Sequence, residues 1–282
     1  MMNGGLWSSR NKWLPAGIIL PALLWLYLPF LKTLVAEWGT NDDYSHGYFI
    51  PFLSIYFIYS IRDELKKIAA RPHNAGLIVL LLGLGQLVLG KIGAEYFTQR
   101  TSLIIVLFGL VLFFLGGTYL KRLFIPIGYL IFMVPLPAIV WNKIAFPMQL
   151  FSSSLTEQVV SLLGIPIYRE GNVIHLAQTT LEVVAACSGL RSLVTMFALS
   201  GALAFLSPLS APKKLLLFFS APPIAIFANI VRLTATALMA TKIGAEAAQG
   251  FLHEFSGIVV FALGLGLLIS LNWLLGKTTG KR

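Results

Sequence analysis

The chain has 282 residues, 57% hydrophobic and 11% charged, with a formal net charge of +10 and a mean hydropathy of +0.83. A soluble globular domain carries about 25% charged residues, so the composition excludes a soluble protein, and long apolar blocks in place of alternation exclude an outer-membrane barrel. The basic residues cluster between those blocks as topology signals rather than as a nucleic-acid footprint, and a single cysteine, Cys187, excludes an intramolecular disulfide.

Each block comes close to the roughly 20 residues a helix needs to cross about 30 Å of hydrocarbon. Lipid-facing backbone must satisfy its own hydrogen bonds, so the fold class is an all-α integral membrane protein. The first predicted span runs from Leu14 to Leu31 behind Arg10 and Lys12. No small-residue cleavage site follows it, so it reads as an uncleaved span. Further spans are predicted at Tyr48–Ile61, Ala75–Leu89, Thr101–Gly117, Leu123–Val140, Leu190–Leu206, Leu215–Thr241 and Phe251–Leu275. About eight transmembrane helices result, in one domain over residues 1–282 with no soluble C-terminal domain. Placing both termini in the cytoplasm puts 13 of the 21 basic residues there: Arg10, Lys12, Arg62, Lys66, Lys67, Arg71, Lys121, Arg122, Lys213, Lys214, Lys277, Lys281 and Arg282. Only Asp63 and Glu64 accompany them among the acids, a consistent positive-inside assignment.

One long outer segment, about residues 141–186, precedes the sixth span. Lys143–Leu163 reads as an amphipathic or half-inserted helix interrupted by Pro147. Ile165–Val184 is β-like around Arg169-Glu170-Gly171-Asn172 and predicts a short β-hairpin over the outer membrane surface. Lys-Ile-Gly-Ala-Glu occurs at Lys91–Glu95 and again at Lys242–Glu246. A duplicated four-helix unit is one reading of that echo.

Ionisable groups inside spans are functional candidates by default. Asn229, Arg232 and Thr236 share one helical face by their spacing, and Arg232 falls near the outer end of its span. The bland alternative is an arginine snorkelling to the interface. Cys187, in Ala-Ala-Cys-Ser-Gly-Leu-Arg-Ser, stands where the outer segment enters the sixth span. Ser188 can cap that helix, and Arg191 lies one turn on; a positive helix end and a guanidinium both favour the thiolate. Otherwise a lone cysteine is a small core residue. His253 opens the last span, again on the outer side, with an ordinary pKa suited to acid–base work. His46, in Asp42-Asp43-Tyr44-Ser45-His46-Gly47, is the competing base. His175 and His73 read as structural. No metal or cofactor is expected, because one cysteine and scattered histidines lack ligand spacing. Loop charge alone thus gathers a nucleophile, a cation and an acid–base group at one face.

Residues Ala186–Ser192, Ala228-Asn229-Ile230-Val231-Arg232 and His253 with Ser256-Gly257, supported by Ser45-His46-Gly47, Pro51 and Val134-Pro135-Leu136-Pro137, resemble the exosortase/archaeosortase family of membrane transpeptidases. The resemblance implies Cys187 as nucleophile, Arg232 as essential basic partner and His253 as third member, with Arg191, Ser188, Asn229 and His46 in support. It implies a thiol protease or transpeptidase of the bacterial inner membrane with a periplasmic active site. Its partners would be exported proteins bearing a C-terminal sorting tail: a Pro-Glu-Pro-like motif, a transmembrane helix and a basic cluster. The acceptor would be a lipid or polysaccharide, in keeping with the exopolysaccharide systems of Gram-negative members. Membrane lipids are the remaining partner, and nucleic acid is not one. The alternatives are a transporter of a lipid-linked or saccharide intermediate, a membrane acyltransferase, or a scaffold subunit without chemistry.

Overall fold

The computed structural model describes residues 14–177, 179–183, 189–243 and 251–277. The chain divides into two compact units, Met1–Tyr48 with Leu65–Ile127, and Phe49–Glu64 with Gly128–Arg282.

In the first unit, α1 (Leu14–Thr40) is followed by a 3-10 turn (Asp42–Tyr48), and α4 (Ala75–Ile92) and α5 (Tyr96–Phe114) form an antiparallel hairpin. α1 outruns the predicted span by nine residues and carries Pro21 and Pro29 inside it. The α4–α5 contact is set by glycines seven apart. A Cβ at Gly76 would meet the Phe113 backbone, one at Gly83 would stand 2.8 Å from Val106 Cγ2, and one at Gly90 would stand 2.9 Å from Gln99 N. Gly109 answers from α5, where a Cβ would lie 2.5 Å from Leu80 N. Without a hydrophobic drive between helices in lipid, close approach over small residues supplies the dispersion that pairs them. Polar bonds add to it: Gln99 Nε2 donates to Gly90 O at 2.8 Å and Gln86 Nε2 to Thr101 Oγ1 at 2.8 Å. α1 joins the pair through the Tyr27–Ser102 hydroxyl bond at 2.8 Å and the Arg100–Glu37 ion pair at 2.6 Å.

The glycine seam carries a direct test. Gly83→Ala must displace Val106 and is expected to destabilise the protein by about 1–3 kcal/mol. Gly85→Ala has nothing within 4 Å and should be neutral or gain up to about 1 kcal/mol of helix propensity. Thermal unfolding in detergent separates the two; equal melting temperatures would contradict the seam.

The first Lys-Ile-Gly-Ala-Glu copy closes this hairpin. Glu95 caps α5, accepting from Phe97 N at 3.1 Å and Thr98 N at 2.6 Å. Partial burial opposes its ionisation, but the Thr98 side chain, those two amides and Arg100 outweigh it and hold the carboxyl below its ordinary value. A depressed carboxyl stabilises the fold above its unfolded pKa, and that contribution fades as pH falls through the folded value. The stability gap between the wild type and Glu95→Gln should therefore hold above about pH 5 and shrink below about pH 4, read as melting temperature against pH. The second copy, Lys242–Glu246, lies mostly outside the described residues.

α6 (Gly117–Gly128) ends the first unit. The second unit holds α2 (Ile50–Ser60), the start of the short α3 (Arg62–Lys66) and a 3-10 turn (Tyr129–Met133) that follows α6 in sequence. Val134 is extended ahead of Pro135, as a residue before proline must be, and this break divides the predicted fifth span. α7 (Ala138–Leu162) then starts earlier than expected and runs through Pro147 without interruption. Pro147 itself is exposed on this helix, while Ala145 and Gln149 on either side of it are buried. Three strands follow, β1 (Ile167–Glu170), β2 (Val173–Leu176) and β3 (Thr180–Glu182), antiparallel in the order β1-β2-β3. Gly171, at φ +63°, makes the tight β1–β2 turn. Ile174 and Leu176 are buried with Val160 of α7 and with Leu233, Ala237 and Ala240 of α10 (Ala221–Ile243). The sheet is thus seated on two helices as well as paired with itself.

α8 (Leu190–Leu206), α9 (Ala211–Phe219), α10 (Ala221–Ile243) and α11 (Phe251–Lys277) complete the unit. Lys213 Nζ donates to Leu275 O at 2.9 Å and Lys214 Nζ to Phe205 O at 3.3 Å. These lysines satisfy orphan carbonyls at the ends of α11 and α8 and oppose their negative dipole ends, beyond any role in topology. Ser207 Oγ donates to Asn272 Oδ1 at 2.7 Å at the same end.

Among the described residues, five helices are long and apolar enough to cross a membrane: Gly17–Thr40, Ala75–Ile92, Tyr96–Phe114, Ala211–Thr241 and Gly257–Lys277. A sixth results if Gly117–Met133 and Ala138–Leu162 count as one bent span. The remaining predicted spans are shorter, 11 residues at Ile50–Ser60 and 17 at Leu190–Leu206. The protein is a mostly helical membrane protein.

Candidate functional site

Among the described residues of the second unit, buried polar side chains gather at the junction of α7, α8 and α10. Gln149, Ser152, Ser153 and Thr156 are all buried, and their spacing places them on one face of α7. Thr156 Oγ1 donates to Ser152 O at 2.8 Å, and Ser153 Oγ donates to Leu150 O at 3.0 Å and to the turn carbonyl Gly171 O at 3.2 Å. Hydroxyls that bond back to their own helix can be buried at little cost. Facing them on α10 are Asn229, wholly buried, and Arg232, 9% exposed. Asn229 Nδ2 donates to Ser152 Oγ at 3.3 Å.

Sequence inspection missed the α7 stripe. Its signal was present as Gln-x-x-Ser-Ser-x-x-Thr, four polar residues on one face of the helix, where Pro147 suggested an interruption instead.

Cys187 and Ser188 lie outside the described residues, but both flanks of that segment are held. Upstream, Val183 is buried and exchanges two bonds with Asn172: Val183 N to Asn172 O at 2.9 Å, and Asn172 Nδ2 to Val183 O at 3.2 Å. Arg169 supports the turn, bonding Gly171 O at 2.7 Å and Glu157 of α7 at 3.0 Å. Downstream, α8 is capped by Gly189 at φ +84°, without a side-chain cap. Ser188, expected as the cap, lies outside the described residues, and the cap position falls on Gly189. Glycine readily takes that left-handed conformation. A Cβ at Gly189 would also stand 3.0–3.1 Å from Asn229 Cγ, Cβ and Nδ2, so the entry to α8 presses against the polar face of α10. Arg191 is half-buried in the first turn of α8, where its carbonyl accepts from Thr195 Oγ1 at 3.0 Å.

Axial levels follow from a second contact. A Cβ at Gly264 of α11 would lie 2.6 Å from Met196 Cε of α8 and 3.9 Å from Ile224 Cγ2 of α10. With Ser207 meeting Asn272 below it, α8 and α11 run parallel. From the Met196–Ile224–Gly264 layer, Leu190 is about 9 Å away, Arg232 about 12 Å and His253 about 16 Å, all toward the end opposite Lys213, at 1.5 Å per residue. His253 is the third residue of α11; its side chain lies outside the described residues. His46 belongs to the first unit, where it is half-buried with its ring 6.1 Å from Tyr44. His175 sits on β2 against Thr180 and Tyr168. Among the described residues no group of three or more His, Cys, Asp or Glu is placed to hold a metal ion.

The family model described as Transmembrane exosortase matches residues 38–270. The chain belongs to the transmembrane exosortase family. The match takes in α7, the sheet, α8, α10 and most of α11, so the whole polar junction falls inside the family's extent. No curated protein and no solved structure matches the chain. Membership in the exosortase family, with several apolar helices, makes this a membrane protein of the sorting transpeptidase and protease kind.

Proposed function

We propose that this exosortase is a cysteine transpeptidase that cleaves the C-terminal sorting tail of exported proteins and passes the new C-terminus to a lipid or polysaccharide acceptor. The tail recognised is a Pro-Glu-Pro-like motif followed by a transmembrane helix and a basic cluster. The observation that carries the reading is the packing of Gly189, two residues after Cys187, against Asn229, one helical turn before Arg232.

The Cys187 thiolate attacks the scissile carbonyl just outside the bilayer. Arg232, with Arg191 nearby in sequence to the thiol, stabilises the oxyanion of the tetrahedral intermediate. His253 protonates the leaving amine, and a thioester remains on Cys187. His253 then deprotonates the acceptor nucleophile, which displaces the thiol. His46 is the alternative base, distinguished from His253 by single substitution.

The chain crosses the inner membrane eight times with both termini cytoplasmic. The short crossings are Ile50–Ser60 and Leu190–Leu206. Ala211–Thr241 spans 31 residues, more than the roughly 20 a crossing needs. Its last turns, beyond Arg232, pack on the sheet at Leu233, Ala237 and Ala240, which supports a periplasmic level for the guanidinium.

Co-expression of a reporter bearing a Pro-Glu-Pro sorting tail tests the reading. A processed reporter with the wild type, and a full-length one without it or when the tail is deleted, is the expected result. Tail-independent processing, or none with the wild type, would overturn it.

A further inference from the structure

We propose that Asn229 is a positioning residue for the thiol: its buried amide, oriented by Ser152, fixes the Gly189 turn and so the segment that carries Cys187. The inference rests on the reading of Cys187 as nucleophile.

An amide wholly inside a membrane helix bundle is costly unless it is hydrogen-bonded. A leucine would fill the same space without that cost. Asn229 is 0% exposed, as is Ser152, and the Nδ2–Oγ bond at 3.3 Å links α10 to α7. On its other side the same side chain lies close to Gly189, where an added Cβ would stand only 3.0–3.1 Å from Asn229 Cγ, Cβ and Nδ2. Three helices therefore register through one side chain: α7 by Ser152, α10 by its own backbone, and α8 by its first turn. Arg232 follows Asn229 by three residues, so the residue that seats the α8 entry also sets its distance to the guanidinium. Ser153, next to Ser152, bonds Gly171 O, and the neighbouring Asn172 holds Val183 upstream of the thiol segment. The α7 stripe thereby controls both flanks of Cys187. Displacement of a reacting group by about 1 Å can cost 10²-fold in rate, which gives the device its leverage.

The test uses the purified full-length protein with a fluorogenic Pro-Glu-Pro tail peptide. Asn229→Ala and the space-filling Asn229→Leu are expected to lower kcat by about 10- to 100-fold while KM changes little. Ser152→Ala should lower kcat by a smaller factor. The Ser152→Ala, Asn229→Ala double variant should be no worse than Asn229→Ala alone, since both act through one contact. Additive losses, or a lower melting temperature at unchanged kcat, would overturn the proposal. A second arm needs no substrate: the rate of Cys187 alkylation by iodoacetamide should fall several-fold in Asn229→Leu, as the thiol leaves the groups that favour its thiolate. An unchanged or faster rate counts against positioning. Cleavage that survives Cys187→Ala would instead sink the catalytic reading, leaving the alkylation result to decide the role of Asn229.

Discussion

Cys187→Ala is expected to reduce tail cleavage by about 10⁴-fold or more, with expression and melting temperature close to the wild type. Loss of a covalent nucleophile removes the step that divides amide cleavage into two easier ones, and effects of this size are typical where nucleophile and base act as a unit. Cys187→Ser should be nearly as inactive, because a hydroxyl stays protonated where the positive end of α8 and a nearby guanidinium suffice for a thiol. Cys187 is the one cysteine of the chain, so no other thiol can substitute. Immunoblotting of the tail-bearing reporter reads the result. Processing at wild-type level by Cys187→Ala would favour the transporter or scaffold readings.

Arg232→Ala should lower turnover by about 10²–10³-fold, the usual consequence of deleting an oxyanion donor. The variant should still fold, since a residue 9% exposed at the edge of a polar junction leaves Asn229 and Ser152 to hold α7 and α10 together. Arg232→Lys should also be impaired, because a point charge on a flexible stem does not reproduce the planar fork. A kcat effect with little change in KM is the expected split. Wild-type activity in Arg232→Lys together with strong loss in Arg232→Ala would mean that charge alone matters. A loss in Arg232→Ala that tracks its melting temperature would assign the residue to the fold.

Much of this was legible in the sequence because the membrane simplifies the problem. Apolar blocks with few charges have one stable answer, and Arg232 was conspicuous because an arginine inside such a block is costly to place. The α7 helix was harder. Pro147 suggested an interruption, yet α7 continues and its far face packs on α10, where Ser152 bonds a partner 77 residues on. Gly76, Gly83 and Gly90 show their period of seven in the sequence, but only the facing positions Phe113, Val106 and Gln99 reveal it as a helix seam. Ser188 was a reasonable cap by residue type. In the structure the cap position is Gly189, at positive φ and with Asn229 close beside it. Lys213 and Lys214 read as topology signals by position, and their bonds to helix-end carbonyls needed three-dimensional neighbours to appear.

The most direct test of the central claim is intact mass spectrometry of the purified protein incubated with a Pro-Glu-Pro tail peptide and quenched in acid. A covalent thioester of the N-terminal peptide fragment on Cys187, released by hydroxylamine and missing in Cys187→Ala, is the predicted result. Peptide cleavage without any adduct on Cys187, or an adduct that persists in Cys187→Ala, would contradict it.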